Sequence, residues 1–129
     1  MIVIRCTARL LTRLRVDTRG DAGTSTGVLG DWYATALHVR HAYVLAVARA
    51  TLLPVVVSGR DVRSFPDRMA RTLADVLGAY EVSPELVARE CAAMTTARYA
   101  RTDDRSTVGV LVEMGRMLEA DSRPGRMYR

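Results

Sequence analysis

The chain has 129 residues, the length of one ordinary domain, with nineteen basic side chains against fourteen acidic ones and a formal net charge of +5. Apolar residues make up 49% of it, enough for a core, which excludes global disorder. No apolar run approaches the roughly 20 residues of a membrane helix, and the start, MIVIRCTARLLTRL, reaches Arg5 too soon for a secretory signal, so a cytoplasmic protein is expected.

All nineteen basic residues are Arg; Lys, Asn and Gln are absent and Ile occurs twice. That pattern follows codon usage in a GC-rich genome, so Arg is partly the default cation rather than one chosen for phosphate contacts. The excess sits at the two ends. Residues 1–27 carry five Arg and two Asp, residues 60–120 carry nine Arg and ten acids, and residues 121–129 carry three Arg and one Asp. Nucleic-acid binding is therefore open but not favoured. A polyanion would meet Arg5, Arg9, Arg13 and the C-terminal tail. Cys6 and Cys91 lie in no metal-ligand spacing and read as reduced, buried thiols.

In chain order, the β-branched segment 2–6 reads as a strand. Thr7 caps a short helix, ARLLTRLR, with Leu10, Leu11 and Leu14 on one face and Arg9 and Arg13 on another. Residues 17–30 are dense in Gly, Thr, Ser and Asp and form a long loop. Residues 32–39 and 43–50 pair through Arg40-His41-Ala42, and since neither face of either is polar, the pair is buried on both sides. Residues 52–57 make a further strand, which Pro54 confines to an edge or a bulge. Ser64 caps a helix with Pro66 and Asp67 in its first turn, and Met69, Leu73, Val76, Leu77 and Tyr80 follow at helical spacing. Ser83-Pro84-Glu85 starts another, with Leu86, Val87, Cys91 and Met94 on one side. Thr96–Thr102 alternates as a strand, and Asp103-Asp104-Arg105-Ser106 leads into a last helix. This order predicts one α+β domain over residues 1–120, a small, mainly antiparallel sheet of about four strands flanked by about four helices, followed by a loose basic tail at 121–129.

Three segments resemble a known family. Arg5-Cys6-Thr7 with Leu10-Leu11, then Leu29-Gly30-Asp31-Trp32-Tyr33-Ala34, then Thr102-Asp103-Asp104-Arg105-Ser106-Thr107-Val108-Gly109 are similar, in order and spacing, to the uncharacterised bacterial family called domain of unknown function 6933. The resemblance covers roughly residues 1–120. It implies a single domain of this size and no known activity, but it marks where unexplained polar residues lie.

Those residues are the candidate site: Asp31, Trp32, Asp103, Asp104, Arg105 and Ser106. The structural reading makes Asp31 a turn residue, Trp32 a packed edge of the core, and Asp103 to Ser106 a helix cap with an ion pair. The functional reading brings Asp31 together with Asp103 or Asp104 beside Arg5 or Arg105, where guanidinium and backbone donors suit a phosphate or carboxylate. His38, on the Ala-rich face of its strand, reads as partly buried and hydrogen-bonded, and His41 as exposed; too few ligands accompany them for a metal, and no cofactor is called for. The leading expectation is a binding or interaction module, its partner an unidentified protein or small ligand, with no membrane contact and with a homodimer left open. The alternative is a toxin-like nuclease or other enzyme acting on RNA or nucleotides. No catalytic motif decides between them.

Overall fold

The computed structural model describes residues 1–38 and 40–121; Val39 and residues 122–129 lie outside the described residues, and of the basic tail expected at 121–129 only Asp121 is described, as the end of the last helix. Ten elements follow one another: strand β1 (Ile2–Cys6), helix α1 (Ala8–Leu14), strands β2 (Trp32–His38), β3 (Ala42–Ala48) and β4 (Pro54–Ser58), a 3-10 turn (Val62–Ser64), helices α2 (Phe65–Ala79) and α3 (Pro84–Met94), strand β5 (Ala97–Arg101), and helix α4 (Arg105–Asp121).

The α+β class expected from the sequence holds, and the sheet adds a detail that the pattern did not carry. It has five strands in the order β4-β3-β2-β1-β5, and it is mixed. The run β2-β3-β4 is an antiparallel meander, while β1 pairs parallel with both β2 and β5. Parallel neighbours need crossover connections. Between β1 and β2 the crossover consists of α1 and the long loop.

Pro54 begins the edge strand β4, where a missing amide donor costs no ladder bond. The central strands β2 and β3 are buried on both faces, because helices cover both. Strand alternation divides their side chains between two cores. On one side Ile2, Ile4, Trp32, Ala34, Ala36, Val44 and Ala46 pack against Leu10 and Leu14 of α1, Phe65, Met69 and Leu73 of α2, and Met94 of α3. On the other side Tyr33, Leu37, Leu45 and Val47 pack against Leu111 of α4. Each large apolar side chain buried in this way contributes about 1.5–3 kcal/mol.

Three local expectations change. Ser83 caps α3 as read, its Oγ accepting from Leu86 N at 3.3 Å. Ser64 precedes α2 but makes no capping bond; its hydroxyl donates instead to the Asp61 carbonyl at 2.9 Å. His38 is exposed rather than partly buried, since β2 ends there and projects beyond its cover. The apolar side of α3 also differs. Leu86 is exposed, and a carboxylate, Glu90, is buried between Val87 and Met94.

Candidate functional site

The two ends of β2 carry two different polar assemblies. At its start, the fold brings together Asp31, Asp103 and Arg5. Arg5 sits on β1, opposite Tyr33 on β2 and Ala100 on β5. Its Nε donates to Asp31 Oδ2 at 3.0 Å and lies 3.4 Å from Asp103 Oδ1, and its Nη1 donates to the Arg101 carbonyl at 3.0 Å. The loop supplies Ser25, which donates to Asp31 Oδ1 at 2.7 Å while accepting from Val3 N at 2.8 Å. The phenol of Tyr33 donates to Asp103. Burial first, and then this bond to a carboxylate, pushes the phenol up to about 12.

Asp104 belongs to a second cluster. It is the N-cap of α4, accepting from Ser106 N at 3.0 Å and from the Thr107 hydroxyl at 2.9 Å. Its ion-pair partner is Arg49, just past β3, at 3.2 Å. The Thr107 hydrogen bond holds its carboxyl below the usual range, and Arg49 adds to the effect. Arg105 and Ser106 are exposed, and among the described residues no carboxylate pairs with Arg105. Trp32 is fully buried in the core instead of packing at its edge, so it presents nothing to a ligand. The convergence of Asp31, Asp103 and Arg5 is therefore real, but its main bonds close within the chain.

Glu90 strengthens that conclusion. It is 3% exposed, and its Oε1 accepts from the backbone N–H groups of Val28 and Leu29. A Cβ at Gly27 would lie 2.7 Å from Oε2, so only glycine lets the loop pass this close. Among the described residues Oε2 itself has no hydrogen-bond partner, nor does the buried Nε1 of Trp32. Glu90 thus fastens the loop that carries Ser25 and Asp31. The sequence signal for it is a carboxylate standing at the i+3 and i−4 positions of an apolar stripe, between Val87 and Met94.

At the far end of β2 lies an open groove of about 980 Å³, walled by the end of α1, the β2–β3 turn and the loop after β4. Arg13, Arg15, Arg40 and Arg60 line it together with both histidines of the chain, His38 and His41, and with Tyr43; among the described residues Asp61 is its one carboxylate. A second lobe of about 400 Å³ shares Arg13 and His38 and adds Arg9 and Glu119. Arg9 and Arg13, read from sequence as polyanion contacts, thus border this groove, whereas Arg5 belongs to the network at the other end. Among the described residues no carboxylate forms an ion pair with Arg13, Arg15, Arg40 or Arg60.

The walls are held firmly. Arg68 of α2 donates to the carbonyls of Ser58, Arg60 and Asp61 at 3.0, 2.6 and 3.1 Å, and to Ser64 Oγ at 2.8 Å. Gly59 donates to the Ala42 carbonyl at 2.8 Å, and a Cβ there would press on Ala42 backbone at 3.0 Å. Arg15 and Asp61 both take left-handed backbone conformations, with φ of 54° and 50°. Such conformations cost side-chain-bearing residues on the order of 1–3 kcal/mol and concentrate at binding sites. Thr7 bonds Thr35 at 2.8 Å and accepts from Leu10 N, which docks α1 beside β2 and aims its basic end at the groove.

The groove's arginines come from three separate segments of the sequence, the end of α1, the β2–β3 turn and the loop after β4. Cys6 and Cys91 are free thiols, Cys6 buried and Cys91 partly so; burial alone pushes the Cys6 thiol up to about 12. Among the described residues no set of three or more His, Cys, Asp or Glu side chains is placed to hold a metal ion, and no helix is long and apolar enough to cross a membrane. Comparison with curated proteins gives no match, and comparison with solved structures gives none. The family model described as Domain of unknown function (DUF6933) matches residues 3–127, nearly the whole chain and beyond the stretch covered by the three segments; the chain belongs to that family.

Proposed function

We propose that this protein is a cytoplasmic binding module for a phosphate-bearing polymer, and that the basic groove receives it. The observation carrying this reading is one groove lined, among the described residues, by four guanidinium groups and two imidazoles against one carboxylate. Guanidinium groups that no carboxylate among the described residues pairs with favour polyanions, because each phosphate contact releases condensed counterions. The two lobes share a wall, so the surface suits a strand rather than an isolated phosphate. In this reading Asp31, Asp103 and Asp104 hold the loop and α4 in place and do not touch the ligand.

The test is binding of a labelled single-stranded RNA oligonucleotide, followed by fluorescence anisotropy over a salt series. Affinity should fall linearly on logarithmic axes as salt rises. Arg13→Ala and Arg60→Ala should each weaken binding and reduce the magnitude of the salt slope by about 1, with thermal stability unchanged. Arg105→Ala should leave both unchanged. Binding that ignores salt, or that survives both groove substitutions intact, overturns the reading.

A further inference from the structure

We propose that the groove also cleaves single-stranded RNA, by attack of a ribose 2′-hydroxyl on the adjacent phosphodiester. The inference rests on the polyanion reading of the same groove and assigns it a reaction.

The chain has two histidines, and both line this groove. His38 ends β2 and His41 lies in the turn that leads into β3, with Ala42 paired opposite His38. Both are exposed, so a substrate reaches them without any rearrangement of the core. Histidine is the side chain suited to give and take protons near neutral pH, and an imidazole and an imidazolium lining one groove can supply the base and the acid that phosphodiester transfer requires. The arginines around them supply what the reaction needs next. Negative charge builds on the non-bridging oxygens as phosphorus becomes five-coordinate, and guanidinium donors stabilise that charge. Tyr43 adds an aromatic wall for a base to stack on. The Gly59–Ala42 contact and Arg68 hold the backbone of the β2–β3 turn and of the loop that carries Arg60.

The step balances within the substrate. Neutral imidazole takes the 2′-hydroxyl proton while the 2′-oxygen forms a bond to phosphorus. The bond from phosphorus to the 5′-oxygen breaks, and the imidazolium gives its proton to that leaving oxygen. One product ends in a 2′,3′-cyclic phosphate and the other begins with a 5′-hydroxyl. No oxidant or reductant is used, and proton exchange with water restores the two imidazoles to their starting states. Because the nucleophile is the 2′-hydroxyl, DNA of the same sequence binds and is not cut.

The experiment incubates the full chain with end-labelled single-stranded RNA, and with the matching DNA, in the presence of EDTA. The expected result is RNA fragments with 2′,3′-cyclic phosphate ends and intact DNA. His38→Ala and His41→Ala should each slow cleavage of bound RNA, measured at saturating protein, by about 100-fold or more. The pH–rate profile of the parent protein should be bell-shaped, and each variant should lose one limb. RNA that binds with the expected salt dependence and remains uncut overturns the cleavage and leaves the binding standing. RNA that does not bind overturns both. Cleavage that requires Mg²⁺, or that persists in both histidine variants, overturns the mechanism.

Discussion

The two ends of β2 use similar side chains in opposite ways. At the start, Arg5 spends its guanidinium on two carboxylates and a carbonyl of its own chain. At the end, Arg13, Arg15, Arg40 and Arg60 surround an open groove whose one carboxylate among the described residues, Asp61, accepts from the Ser64 hydroxyl. One region is a fastening and the other is a surface. What separates them is pairing rather than charge count: a guanidinium bonded within the protein has little left for a ligand, and one facing only water has lost nothing by waiting.

The comparison breaks most visibly at Arg5. Replacing it by Ala leaves the carboxylate of Asp31, only 19% exposed at its side chain, without its cation. A loss of about 2 kcal/mol is expected in urea unfolding, because the remaining charge is only partly reached by water. RNA binding at a temperature where the variant is folded should not change. If stability stays and binding falls, the network at the start of β2 is the ligand site and the two roles are reversed.

A smaller effect sharpens the other side. Arg68 lies behind the groove and bonds three carbonyls and a hydroxyl. Arg68→Ala should cost about 1 kcal/mol and weaken RNA binding several-fold, by freeing the loop that carries Arg60. Arg68→Lys keeps the charge but cannot span four acceptors. It should bind as weakly as the Ala variant. Recovery of binding in Arg68→Lys would mean that charge, and not the shape of the loop, is what Arg68 supplies.

How much of this was legible depends on the range of the forces involved. Pro54 announced an edge strand because its missing donor is a property of one residue. The alternation in residues 32–48 announced a pair buried on both faces because burial repeats every second residue. The direction of β1 was not legible. Nothing in residues 2–6 records whether the neighbouring strands run parallel, since that is set by a crossover of 25 residues between Cys6 and Trp32. The candidate site was half legible. Asp31 and Asp103 do converge on Arg5, but the cation that meets Asp104 is Arg49 and not its neighbour Arg105. The groove was least legible, since Arg13, Arg40 and Arg60 share a wall only once the sheet is folded. In sequence its histidines read as one partly buried and one exposed side chain with too few companions for a metal, and the groove places both with arginines instead.

The smallest effect lies at alkaline pH and separates the two faces of the sheet. Tyr33 faces α4 and Tyr99 faces the opposite core, beside Phe65 at 6.2 Å between ring centroids. Both phenols are pushed up to about 12, mainly by burial, whereas the ordinary value is 10.0. A raised phenol favours the protonated form in the folded state. Its contribution is therefore complete below the ordinary value, and it is lost as pH rises from about 10 to about 12, where the unfolded chain sheds its protons first. Folding stability should decline across that interval. In Tyr33 part of the shift comes from the hydrogen bond to Asp103, so Asp103→Ala should bring the Tyr33 tyrosinate absorbance to lower pH. Tyr99, whose shift owes nothing to that bond, should titrate as before. If both phenols move, the Asp103 network reaches through the sheet into the second core, and the fastening at the start of β2 holds more of the fold than its own loop and helix.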